Sequence, residues 1–292
     1  MEYTLENAYL KITVNDHGAE LQSITEKSDG TDYLWHGDPT YWKYRSPILF
    51  PIVGKLIDGK YRVEGKTYAL PAHGLGRVSD FTFEKQTASE ISFVLTSTPE
   101  SLKIYPYKFL LRVSYTLQDK KIIVGWSVEN LNTKEMYFSI GAHPAFMCPI
   151  DPQDAWEDCY LEFNRQEELA SLEITEEVYL KRTKTAALKN TKQLPLTRDT
   201  FKKGALVYAH LNSDTISIRS HKNDKVLSVT AKDFPFWGIW APDKEGTPFV
   251  CIEPWHGHAD YFDATGVFEE KEDNVHVEAG KTFTTQYEIS IG

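Results

Sequence analysis

Apolar and polar positions alternate with a period of two along most of this chain, the spacing of strands that bury one face and wet the other. Phe109, Leu111, Val113, Tyr115 and Leu117 make one apolar face, with Leu110, Arg112, Ser114 and Thr116 opposite. A turn at Asp119-Lys120 leads into Ile122 to Val128, so the two runs predict a long antiparallel ladder. Earlier, Tyr9 to Val14, Glu20 to Thr25 and Tyr33 to Trp35 read as strands separated by Asp16-His17-Gly18 and Asp29-Gly30. Lys60 to Val63 and Thr67 to Leu70 flank Glu64-Gly65 as a hairpin, and Ile91, Phe93 and Leu95 alternate again. Met136 to Ile140, Ala205 to Leu211, Ile216 with Ile218, and Val226 to Val229 continue the pattern. Phe283, Tyr287, Ile289 and Ile291 are also in strand phase and pair back into a sheet.

Two stretches depart from this regularity. Pro47 to Val53, PILFPIV, is apolar but holds two prolines, each without a ladder donor, and is expected as a kinked edge segment or a pocket wall. Met147 to Gly204 is charge-rich, with short apolar pieces at Tyr160 to Phe163 and Leu172 to Ile174, and reads as loops and short edge strands. The best helical stretch is one turn near Pro99 to Lys103. With no internal repeat or linker, the pattern predicts an all-β chain. It is read as one large antiparallel β-sandwich domain over residues 1–292, with few short helical turns.

Composition narrows the partners. Hydrophobic residues make up 41%, enough for a sizeable core without staples, while the formal net charge of -10 argues against nucleic acid or an anionic membrane surface. A neutral small molecule is the easier ligand. Cys148, Cys159 and Cys251 are few and widely spaced, which fits a reducing, cytoplasmic setting. The opening MEYTLENAYLKI has neither the basic start nor the apolar run of a signal peptide, and no stretch is long and apolar enough for a membrane span.

The densest chemistry lies in Asp233 to Asp260, where Trp237, Trp240 and Trp255 flank Glu253 at the end of the strand-like run Phe249 to Ile252. Aromatic faces suit the C–H faces of a sugar ring, and a desolvated carboxylate gains proton affinity. His73 and Arg77 share a glycine-rich loop, and His143 follows a strand end directly before a proline. A histidine paired with a carboxylate can run acid–base chemistry near neutral pH, although any one of the nine histidines can equally be a hydrogen-bonded structural residue. His256 and His258 form an H-x-H pair near Glu253 and Asp260, the material of a metal site if they lie on one strand face, but Pro254 and Gly257 favour a loop there. No G-x-S-x-G, G-x-G-x-x-G or Walker pattern is present.

In order, FPIVGKLIDGKYR, HGLGR, YPYKF, GAHPAF, FPFWGIWAP and CIEPWHGHAD resemble the aldose 1-epimerase (galactose mutarotase-like) superfamily, and within it the LacX-like branch, from about Tyr9 onward. The resemblance implies a β-supersandwich that interconverts the α and β anomers of a free hexose without a cofactor or a metal. It makes His143 the general acid and Glu253 the general base, expected to face each other across the sugar ring. His73 matches a substrate-binding histidine, and Arg77 and Arg45 match positions that bind sugar hydroxyls. Asp233 stands in for a binding aspartate of the galactose enzymes, Lys55 occupies the region where they carry an arginine, and Trp237, with Phe236, is expected as a stacking wall. Two alternatives accompany this reading. One is a hexose-phosphate epimerase with Arg45, Lys55 and Arg77 clustered at the pocket mouth; the other is a non-catalytic sugar-binding or sensing module.

Overall fold

Strands hold 49% of the residues and helices 5% in a computed structural model that describes all of Met1–Gly292. The alternating runs behave as their pattern demands. Phe109–Gln118 and Lys121–Asn130 pair antiparallel with Leu117 opposite Ile122 and Val113 opposite Trp126, so both apolar faces point the same way. Asp119, at φ 50°, makes the tight turn between them. The expected hairpin forms from Lys60–Val63 and Lys66–Ala69 across Glu64-Gly65, both at positive φ. The one α-helical turn is Ser101–Ile104.

Two large sheets result. The nine-stranded sheet runs in the order Leu188–Pro195, Cys159–Leu169, Thr215–Ser220, Leu227–Thr230, Thr282–Ile291, Lys121–Asn130, Phe109–Gln118, Glu90–Thr96 and Thr82–Gln86. The eight-stranded sheet runs Leu180–Lys184, Leu172–Ile174, Leu206–Ala209, Phe236–Trp240, Phe249–His256, Ile140–Ala142 and Ile48–Leu49, with Ala145–Met147 also paired to Phe249–His256. A cluster of 63 buried residues fills the space between them, with Leu111, Val124 and Ile289 from one sheet and Ile48, Ile239 and Ile252 from the other. Burying one such side chain contributes about 1.5–3 kcal/mol, so this shared core is what holds the two sheets face to face. No helix is long and apolar enough to cross a membrane.

Two expectations need correction. Met147 to Gly204 is more regular than its charge content implies, for Cys159–Leu169 is an eleven-residue strand paired on both sides. Its first half alternates Cys159, Leu161 and Phe163 into the core. Beyond that, the pairing with Leu188–Pro195 shifts register between Glu162 and Glu167, which breaks the period that would have revealed it. Tyr33 to Trp35 forms no ladder of its own; it runs alongside Ala145–Met147 through one isolated bridge, Leu34 to Phe146. PILFPIV does supply an edge, Ile48–Leu49, at the end of the eight-stranded sheet.

Candidate active site

In a strand, successive side chains take opposite faces. Along Phe249–His256, Val250 and Ile252 enter the main core, while Phe249, Cys251, Glu253 and Trp255 point to the other face of the sheet. Glu253 is the single carboxylate in that row, with one small apolar cluster around Phe249 and Cys251 and another around Trp255. His143 reaches it from the neighbouring strand pair. Gly141 pairs with Trp255 and Ala145 with Cys251, so His143 falls opposite Glu253, where the ladder breaks at His143-Pro144. Proline supplies no N–H to continue the ladder, and the break frees the imidazole from regular pairing.

The two side chains meet. His143 Nε2 lies 3.4 Å from Glu253 Oε2, and only 8% of the histidine and 2% of the glutamate are exposed. His143 Nδ1 and Glu253 Oε2 have no hydrogen-bond partner, an uncommon condition for buried polar atoms. Burial pushes the Glu253 carboxyl well above its usual range, against the opposing influence of the Trp255 indole N–H. Burial, then His73 and Arg77, push His143 well below the usual imidazole range. The contact has the geometry of an ion pair, and burial works against the charged form of each partner.

Trp255 packs flat across the sheet next to this pair. A side chain at Gly238, the residue opposite Glu253, would place its Cβ 2.2 Å from Trp255 Cζ2, and one at Gly141 would lie 2.4 Å from Trp255 Cδ1. Two glycines on flanking strands thus make the slot for the indole, whose N–H donates to Ala142 O at 3.2 Å. On the opposite side the Trp42 ring stacks on His143, with centroids 4.7 Å apart and planes at 27°, and Trp240 meets the same imidazole edge-on at 5.7 Å. The Trp35 indole N–H holds Trp42 in place through its carbonyl oxygen at 2.8 Å.

The HGLGR loop arrives beside the pair. His73 and Gly74 both adopt positive φ, and a Cβ at Gly74 would sit 2.4 Å from Phe50 O, so glycine is required where the loop presses on PILFPIV. The loop is pinned there by the Leu75 and Gly76 N–H groups donating to Phe50 O. The His73 ring packs edge-on to His143 at 5.6 Å, and its Nδ1 accepts from the Gly54 N–H at 3.2 Å. That bond places the ring proton on Nε2. Burial and then the Arg77 charge lower His73 to about 3, so it stays neutral although part of the residue reaches the surface. Arg77 lies over the Tyr44 ring at 4.8 Å and donates to Ala72 O, while its Nε is buried without a partner.

His143, Glu253, His73 and Arg77 therefore come together, but the other expected site residues do not join them. Arg45 gives its guanidinium to Gln22 O at 2.7 Å. Lys55 is exposed and donates to Glu177 O. Asp233 is exposed in the turn before Phe236–Trp240, in a surface hollow with Arg165 and His210. Trp237 is 1% exposed inside the main core, because its parity along Phe236–Trp240 is opposite to that of Trp240. The H-x-H pair diverges: His256 ends its strand bonded to Thr285 Oγ1, whereas His258, beyond Gly257 at φ 95°, bonds Asp273 and Ala259 O. Trp42 was not among the expected residues; it lies in an irregular stretch with no strand period to give its direction.

The aldose 1-epimerase family model matches residues 1–289. The chromosomal protein LacX of Lactococcus lactis subsp. lactis is 35% identical over 299 aligned positions, covering 100% of this chain and 99% of that protein. Among solved structures, a galactose mutarotase related enzyme from Lactobacillus acidophilus superposes with a TM-score of 0.96 at 35% identity, covering 100% of this chain and 97% of the other. A galactose mutarotase-like protein from Lactobacillus casei ATCC 334 does so with a TM-score of 0.93 at 30% identity, covering both chains fully. With the β-sandwich in common and the match running nearly end to end, this chain belongs to the aldose 1-epimerase family.

Proposed function

We propose that the protein interconverts the α and β anomers of an uncharged hexose, with Glu253 and His143 exchanging protons with the sugar. The observation that carries this reading is the buried His143–Glu253 contact at 3.4 Å, with open hydrogen-bonding capacity on both residues. The anomeric hydroxyl and the ring oxygen are bonded to the same carbon, so groups serving them belong side by side. Glu253 as carboxylate takes the proton of the anomeric hydroxyl while protonated His143 gives one to the ring oxygen. The bond between the anomeric carbon and the ring oxygen breaks, and its electron pair stays on that oxygen. The open aldehyde turns over one face and the reverse transfers close the ring. Opening discharges the ion pair into the neutral pair that a dry site prefers, so the low polarity assists that step.

His73 Nε2–H and the Arg77 guanidinium serve sugar hydroxyls in this reading, and Trp42 and Trp240 supply the apolar walls. An uncharged sugar is favoured over a phosphorylated one because hydrogen bonds hold Arg45 and Lys55 to separate backbone carbonyls. The test is polarimetry of freshly dissolved α-glucose, α-galactose and their 6-phosphates. Faster relaxation of a free sugar is expected; relaxation at the spontaneous rate with all of them refutes the proposal, and acceleration of the phosphates alone refutes the choice of substrate class.

A further inference from the structure

Cys251 stands two residues before Glu253 on the same face of Phe249–His256, and its free thiol takes no part in the acid–base scheme. One ligand-capable atom from each of Cys251, Glu253 and His143 lies within 4.8 Å of the others, and all three residues are buried. Donors bound to one ion at about 2.0–2.3 Å sit within roughly 4 Å of each other, so the three atoms need to draw together by only about 1 Å to share an ion. Glu253 Oε2 and His143 Nδ1 are buried and unpartnered, so metal binding here breaks no protein hydrogen bond to Oε2. A sulfur, a nitrogen and a carboxylate oxygen in tetrahedral reach suit zinc-class divalent cations, whereas magnesium and calcium prefer oxygen throughout.

We propose that Cys251, Glu253 and His143 form a three-ligand site for a thiophilic divalent cation of the zinc class, leaving its fourth position to water. Such an ion occupies both members of the proton-transfer pair and therefore switches the site off; only this second clause rests on the epimerase reading.

The experiment titrates the metal-stripped full chain with cadmium and follows the thiolate-to-metal charge-transfer absorbance. The parent is expected to take up one equivalent, Cys251→Ser and Cys251→Ala to lose the band, and Glu253→Gln to weaken binding by more than about tenfold. Two cysteine variants are used so that one with parental circular dichroism and melting is at hand. Cys148 and Cys159 remain in both, so a band that survives in them places the metal elsewhere and overturns the proposal, as does the lack of any band in the parent. In a separate kinetic arm, zinc slows anomer exchange by the parent and a chelator restores it. The Cys251 variants match the parent without zinc and need more than about tenfold more zinc for the same inhibition. Equal zinc sensitivity of parent and variants overturns the proposal. A parent with no activity at all refutes the epimerase reading and leaves the cadmium result to decide the metal site.

Discussion

Glu253→Gln separates the cost of the buried carboxylate from its use. The amide keeps the size of the side chain and can donate to His143 Nε2, which now lies 3.4 Å from Glu253 Oε2, so no new orphan is created. The folded-state pKa of Glu253 is raised above the ordinary 4.5. Above that value the unfolded chain has lost a proton that the native chain still holds. The carboxyl's stabilising contribution is therefore full below 4.5 and shrinks as pH rises towards the native value. Between those limits each pH unit removes about 1.4 kcal/mol from the parent and nothing from the variant. Above pH 6.5 the lowered His143 adds no slope of its own, because it is neutral in both the folded and the unfolded chain. At about 2–4 °C per kcal/mol, the melting temperature of Glu253→Gln gains roughly 3–6 °C on the parent per pH unit. Over the same range anomer exchange falls by about 10²–10⁴-fold, the usual worth of one positioned proton-transfer group. Melting curves and polarimetry on the same two proteins check both. A melting gap that stays flat with pH, or a variant with the parent's rate, refutes the reasoning.

The other predictions use the same pair of measurements. His143→Asn is expected to lose about 10²–10⁴-fold in rate. Because burial lowers the native pKa of His143, the parent loses stability as pH falls below 6.5, and the asparagine variant's melting temperature should gain on it in that direction. Trp237→Ala empties a core position and should cost about 3–5 kcal/mol in urea unfolding. Trp42→Ala should instead leave unfolding near parental and raise KM roughly two- to tenfold, the worth of an aromatic face at about 0.5–1.5 kcal/mol. Gly238→Ala drives a methyl group into the Trp255 ring and should cost about 1–3 kcal/mol while also weakening sugar affinity.

Where an element lies on one side of a two-layer core, its alternation is readable from sequence, and the ladder of Phe109–Gln118 with Lys121–Asn130 was legible residue by residue. Cys159–Leu169 was legible only over its first half, because a register shift removes the period where Arg165 and Gln166 face solvent. Both members of the acid–base pair stood out at strand ends, yet their contact depends on pairing between strands about a hundred residues apart, and no local pattern encodes it.

The aromatic wall shows where the limit falls. Trp237 and Trp240 are three residues apart on one strand and so must face opposite ways, which means that only one of them can share a face with Glu253. Parity excludes one of the two but not which; pairing decides, since Gly238 lies opposite Glu253 and Trp240 opposite Cys251. Residues at even positions of Phe236–Trp240 therefore share the face of the odd positions of Phe249–His256, and Trp237 is left for the core. Trp42 had no such arithmetic behind it. Its stretch has no ladder, and its place against His143 follows from its N–H donating to Asp38 O, its carbonyl accepting from the Trp35 indole, and ring stacking. The residues that hold the general acid and base were thus accessible to strand reasoning, whereas the wall that closes over them was set by irregular backbone, which carries no period to read.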